Sequence, residues 1–226
     1  MTEIPTLKAV VFDIDGTMID TEQIQSEAFI EVLKRHGIQE TELTQHGTVH
    51  IPGETTSDTW HRLKSFHDIP HDIDTLTDHK RRAAMDVLEG RLVPMPGVID
   101  LIKDLQTKNI KLALASSAQK ERIDRIVEGL ELQDTFDVIV AANDVKNVKP
   151  APDVYIKVAM MLDVKPEEIV ILEDAEVGVQ SALAAGMKVV AVPNDYTRNM
   201  DFSAANLTVS SLEEVNYEVL ASLIKG

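Results

Sequence analysis

Along the chain the spacing of apolar residues changes period, and the changes mark out the elements. Residues 7–12, LKAVVF, are an apolar, β-branched run of the kind that forms a strand. Over residues 21–36 the apolar positions Ile24, Ala28, Phe29, Val32 and Leu33 fall on one face at helical spacing. Asp20 followed three residues later by Gln23 resembles a capping box, and Gly37 is placed to close that helix. Residues 38–92 hold no clear strand. The pattern predicts helices near 55–66 and 72–89, broken by Pro52-Gly53 and by Pro70. Pro94 and Pro96-Gly97 then punctuate the chain.

From residue 97 onward helical and strand patterns alternate strictly. A helix at 97–108 leads to a strand at Lys111–Ala115, a helix at 119–130 to Val138–Ala142, and a helix at 152–162 to Ile169–Leu172. A helix at 176–185, closed by Gly186, leads to Lys188–Val192. Thr208-Val209 reads as one more short strand, and 211–224 as a final helix. Strands alternating with helices at this spacing give a mostly parallel sheet covered on both faces. The predicted fold class is therefore α/β: a Rossmann-like parallel-sheet core from residues 1–20 and 93–226, with a small α-helical domain, 21–92, inserted between the first strand and the rest.

Composition narrows the function. The chain has 226 residues, enough for a sizeable core, with 44% apolar and 27% charged residues, as in globular proteins. No apolar run reaches the roughly 18 residues of a membrane span, and the start, MTEIPTLKAV, lacks the basic and long apolar segments of a signal peptide. Cysteine is absent, which removes disulfides and thiol nucleophiles; together these features predict a cytoplasmic protein. A net charge of −16 argues against nucleic-acid and membrane partners. The longest basic run, Lys80-Arg81-Arg82, reads as a solvated helix face. All seven histidines lie between His36 and His79, so chemistry elsewhere in the chain falls to carboxylates, hydroxyls and lysines. His46 and His50 have a spacing that suits a metal on a helix. Gly47 and Pro52 beside them, and the lack of a third ligand, make them surface or hinge histidines instead.

In open parallel sheets ligands bind at the carboxyl ends of the strands, and here those ends are polar. The first strand runs into Asp13-Ile14-Asp15-Gly16-Thr17, the next into Ser116-Ser117, and the strand at 169–172 into Glu173-Asp174; Lys149 lies in the loop VKPAPD after the strand at 138–142. Like charges this dense need a reason, because burying them costs several kcal/mol, on the order of that for an unpaired ion. Carboxylates without His or Cys favour a hard cation, Mg²⁺ above all, with Asp13, Asp15, Glu173 and Asp174 as candidate ligands. The hydroxyls of Thr17, Ser116 and Ser117 and the Lys149 ammonium suit phosphate oxygens. A carboxylate also serves as a nucleophile, and a second one two residues on can handle the leaving-group proton. Gly16 lets the backbone turn tightly beneath the phosphate.

These residues resemble, in order, the four motifs of the haloacid dehalogenase superfamily of phosphatases and phosphomutases. Asp13-Ile-Asp15-Gly16-Thr17 looks like the first, Ser116 in LALAS the second, Lys149 in VKPAPD the third, and Glu173-Asp174 in VILEDAEVGVQSALAAG the fourth. The helical insertion is similar to the family's small cap, in its β-phosphoglucomutase and sugar-phosphatase branch. The resemblance implies Asp13 as nucleophile and metal ligand, and Asp15 as general acid/base with its backbone carbonyl on Mg²⁺. It implies Ser116 and Lys149 on the transferring phosphoryl group, and Asp174 on the metal, with Glu173 binding directly or through water. The branch's mutases typically carry Val where this chain has Thr17, and a cap Arg that grips a second phosphate; HGTVHIPGETTSDTWHRL has no Arg before Arg62. Both departures lean toward a hydrolase, although Arg62, Lys64 or the 80–82 run are possible substitutes for that Arg. The family's dehalogenases generally lack the second aspartate, and Asp15 argues against that activity. The expectation is a Mg²⁺-dependent phosphatase of a small phosphorylated metabolite, a sugar phosphate, acting as monomer or homodimer. A β-phosphoglucomutase-type mutase is the alternative, and a phosphate- or metal-binding module without turnover is a third reading that the presence of Asp13 disfavours.

Overall fold

A computed structural model describes residues 5–39, 49, 51, 55–88 and 92–225. The chain divides into two compact units, one joining Met1–Asp20 to Val93–Gly226 and the other formed by Thr21–Leu92. The helices among the described residues are α1 (Glu22–Arg35), α2 (Thr56–Phe66), α3 (Ile73–Leu88), α4 (Val98–Thr107), α5 (Lys120–Gly129), α6 (Asp153–Leu162), α7 (Glu176–Ala184) and α8 (Tyr217–Lys225).

The larger unit is built on one sheet of β1 (Ala9–Phe12), β2 (Lys111–Ala115), β3 (Val138–Val140), β4 (Ile169–Glu173), β5 (Lys188–Ala191) and β6 (Leu207–Thr208). Their order is β3-β2-β1-β4-β5-β6, and each pair is parallel. The chain runs outward from β1 through β2 to β3, then returns to β4 on the other side of β1. Strand order therefore reverses at β1, and a crevice forms at the carboxyl ends there. Alternate residues serve opposite faces: Ala9, Val11, Ala113, Ala115, Ile169 and Ile171 share one core with α6 and α7. All of β1 and β4 is buried, as both-sided covering demands of central parallel strands.

The smaller unit packs α1, α2 and α3 around Phe29, Trp60 and Leu76, with the Phe29 and Trp60 rings meeting edge-on at 4.8 Å. Gly37 ends α1 with φ +81, while Ile38 N–H donates to the Leu33 carbonyl. Three local expectations fail. Thr21 rather than Asp20 caps α1, without a side-chain bond, and the Gln23 amide donates to Glu27 instead of closing a box. Lys80 is not solvated: it shares the face of Leu76, Ala83 and Ala84, and its ammonium lies 4.9 Å from the Phe29 ring centroid and donates to Gln25. Only Arg81 and Arg82 of that run are exposed, both paired with Asp78. The last helix starts at Tyr217, because Leu212–Glu214 winds into a 3₁₀ turn capped by Ser211 and the Asn216 side chain then accepts from Val219 N–H. His46, Gly47, His50 and Pro52-Gly53 lie outside the described residues.

Candidate active site

The register places the motif residues together. Phe12 is level with Leu114 on one side and Leu172 on the other, so the next residue, Asp13, stands beside the ends of β2 and β4. Asp13 N–H donates to the Leu172 carbonyl at 3.0 Å, which extends the ladder one residue past β1 before the chain turns. Gly16 makes that turn with φ +84. A Cβ there would stand 2.1 Å from Asp174 Oδ2, so any side chain would occupy the space of a site carboxylate.

Lys149 is the hub. Its Nζ donates to Asp13 Oδ1 at 2.5 Å, to Glu173 Oε1 at 2.6 Å and to the Ala115 carbonyl at 3.1 Å. Asp13, Glu173 and Asp174 are all buried and form, among the described residues, the one acidic group whose ligand atoms lie within 4.8 Å of each other. One ammonium cannot balance three carboxylates. Burial pushes the Asp13 carboxyl up to about 8 despite Lys149, with Glu173 and Asp15 adding to the rise. Burial, then the charges of Asp13, Glu173 and Asp15, push Asp174 up to about 9. Burial would lower Lys149, but the Asp13 and Glu173 carboxylates outweigh it and hold the ammonium charged. The donors are all hard oxygens with unbalanced negative charge, and this set fits a hard divalent cation.

Other predicted residues divide. Ser116 is buried; its Oγ accepts from Ala118 N–H at 3.0 Å, which leaves the hydroxyl proton free to donate to a ligand. Thr17 is buried, and its Oγ1 has no hydrogen-bond partner among the described residues, a state that a bound oxygen would relieve. Ser117 is exposed, unlike Ser116 beside it. The Asp15 carboxylate stands apart from the acidic group and pairs in bidentate fashion with Arg122 of α5, Nη1 to Oδ2 at 2.9 Å and Nη2 to Oδ1.

Four contributors were not read from the sequence. Tyr155 donates its hydroxyl to Glu173 Oε1 at 2.5 Å, and its ring lies 5.0 Å from the Lys149 ammonium. Asn194 donates to Asp174 Oδ2 at 2.8 Å and to the Gly16 carbonyl at 3.3 Å, holding the turn to the carboxylate. Arg122 orients Asp15. Gly178, in the first turn of α7, backs onto Glu173: a Cβ there would stand 1.9 to 2.1 Å from its carboxyl atoms. Gly→Ala in a helix ordinarily stabilises by about 0.5–1 kcal/mol. Gly178→Ala should instead displace Glu173 and lower turnover by about ten-fold or more, the cost of moving a site group by an ångström. Steady-state kinetics beside an unchanged circular dichroism spectrum would check this.

A family profile described as haloacid dehalogenase-like hydrolase matches residues 10–192, from β1 to just past β5. The chain belongs to the haloacid dehalogenase-like hydrolase family. It is 34% identical over 186 residues to a phosphorylated carbohydrates phosphatase of Thermotoga maritima, covering 80% of this chain and 83% of that one. It is 30% identical over 225 residues to protein CbbY of Rhodobacter capsulatus, covering 96% and 99%. A solved Thermotoga maritima structure, provisionally assigned as a β-phosphoglucomutase, superposes with TM-score 0.80, with 29% identity, covering 96% of this chain and 99% of that one. The acidic cluster thus lies at the strand ends of the sheet in a haloacid dehalogenase-like hydrolase.

Proposed function

We propose that this hydrolase is a Mg²⁺-dependent phosphatase that removes phosphate from a small phosphorylated metabolite, a sugar phosphate, through a covalent aspartyl-phosphate on Asp13. The observation that carries the reading is the single ammonium of Lys149 bridging Asp13 and Glu173 at the point where strand order reverses. The Thermotoga relative named as a phosphorylated carbohydrates phosphatase supports the substrate class.

Asp13, Asp174 and Glu173 would hold Mg²⁺, with the Asp15 carbonyl. When bound, the ion neutralises the carboxylates and draws charge from a phosphate oxygen. Lys149, Ser116 and Thr17 then fix the phosphoryl oxygens. Asp13 attacks phosphorus and the ester P–O bond breaks; Asp15, turned out of the bidentate pair it makes with Arg122 as a carboxylate and protonated, delivers its proton to the leaving alkoxide. In the second step Asp15 takes a proton from a water, whose oxygen attacks phosphorus and frees Asp13 and inorganic phosphate. Arg122 is the positioning residue for Asp15.

The mutase reading has a specific neighbour in its favour, the Thermotoga structure provisionally assigned as a β-phosphoglucomutase. Among the described residues, three cations of the helical unit that could take the place of a mutase's phosphate-gripping Arg favour hydrolysis. Arg62 donates to the Val49 carbonyl, Lys64 to the carbonyls of Ile69 and His71, and Arg81 to Asp78, so each has a partner within its own unit rather than being held for a second phosphate. The test is a panel of sugar monophosphates with Mg²⁺. The expected result is net phosphate release, with no interconversion of β-glucose 1-phosphate and glucose 6-phosphate even when a bisphosphate is added. Efficient isomerisation with little phosphate release would make the enzyme a mutase.

A further inference from the structure

The histidines of the helical unit include three that meet in space although two of them are 35 residues or more from the first. His36 follows the last turn of α1, His71 lies in the corner before α3, and His79 is in α3. The ring centroids are 5.3 Å apart for His36 and His71, 5.6 Å for His71 and His79, and 6.3 Å for His36 and His79. Those spacings have a chemical meaning. A zinc–nitrogen bond of about 2.0–2.1 Å puts each ring centroid about 3.2 Å from the metal, so two ligating rings are about 5.2 Å apart at the tetrahedral angle and about 5.5 Å apart at 120°. Two of the three spacings match, and the third closes by about 1 Å. The ring nitrogens are not gathered as tightly as the carboxylate oxygens of the active site. Closing them takes side-chain rotation, which exposed His71 and half-buried His36 and His79 can supply between rotamer wells.

The corner that presents His71 is held in place. His71 has φ +80, a left-handed conformation also found at Asn109, Glu131 and Asp163. Lys64 donates to the carbonyls of Ile69 and His71, both at 2.6 Å, and so staples the corner that presents this ring.

We propose that His36, His71 and His79 form a second metal site, for a borderline divalent cation such as Zn²⁺, which ties the end of α1 to α3. Imidazole suits zinc, nickel and copper, whereas the all-carboxylate cluster suits a hard cation, so ligand chemistry separates the two sites. Water would complete the zinc shell.

The test is calorimetric titration of tag-free protein with ZnCl₂ in excess Mg²⁺, which keeps the acidic site filled. The expected result is one zinc bound per chain, with affinity reduced by at least about ten-fold in each of His36→Gln, His71→Gln and His79→Gln, the lower end of what even outer-shell changes cost at such sites. Turnover with Mg²⁺ in zinc-free buffer should be unchanged in these variants. In the wild-type chain, whatever the variants' folding, one equivalent of zinc should shift the imidazole NMR signals of these three histidines together. No zinc binding, equal binding in all three variants, or shifts confined to other histidines would overturn the proposal.

Discussion

Replacing Asp13 by Asn should lower kcat by about three orders of magnitude or more, the scale for losing a covalent nucleophile. The amide keeps the shape of the carboxyl but has no anion to attack phosphorus. The fold should tolerate the change well. Asp13 is buried and burial pushes its carboxyl up to about 8, so a charge there is costly in the metal-free fold and the neutral amide removes that cost. Lys149 loses one partner but keeps Glu173 and the Ala115 carbonyl. The expected pattern is loss of turnover with an unchanged or slightly higher melting temperature without metal. A variant retaining a tenth of wild-type turnover would move the nucleophile elsewhere.

Removing the metal should cost nearly as much. EDTA should reduce phosphate release by about three orders of magnitude, equivalent to the several kcal/mol a bound cation supplies, and Mg²⁺ should restore it. Calcium should inhibit, because its longer and more flexible coordination misplaces the phosphoryl oxygen relative to Asp13. The same cluster makes stability depend on pH. Asp13 and Asp174 titrate near 8 and 9 when folded, against about 3.9 for an unfolded aspartate. Between those values the native state binds more protons than the unfolded state, so the metal-free protein loses stability as pH rises from about 4 to about 9. A bound metal ion would displace these protons and remove the repulsion. The rise in melting temperature on adding Mg²⁺ should therefore be larger at pH 8.5 than at pH 6, by several degrees. An equal rise at both values would mean that the cation binds elsewhere.

Most parts of this site that were legible in the sequence share one property: each follows directly on a strand that announces itself, with Lys149, in the loop after β3, the exception. Asp13 follows an apolar run, Ser116 ends LALAS, and Glu173-Asp174 end VIL. Strand ends are fixed by backbone pairing, so sequence order converts to spatial order with little error. Asn194 obeys the same rule, three residues past β5, and that signal was available. Tyr155 and Gly178 gave none: on α6 and α7 they read as core packing and as a plain helix glycine. Arg122 sits in the charged run KERIDR, which looks like a solvated face, and only the packing of α5 brings it to Asp15. Lys80 shows the converse, a basic run whose first member is drawn inward by helical register with Leu76 and Ala84. The histidine trio depends on tertiary packing of α1 against α3, which no local pattern encodes.

The central claim is that the phosphoryl group passes through Asp13, and trapping it there is the most direct measurement. In a single turnover, with enzyme in excess over a sugar monophosphate that the panel shows to be hydrolysed, the reaction is quenched in acid at successive millisecond times and digested for peptide mass analysis. The account predicts a transient phosphoryl group on the peptide containing Asp13, rising before free phosphate and decaying as phosphate appears, and absent from Asp13→Asn. Phosphate release that runs to completion with no phosphorylated peptide at any time, or with the group on another residue, would contradict it.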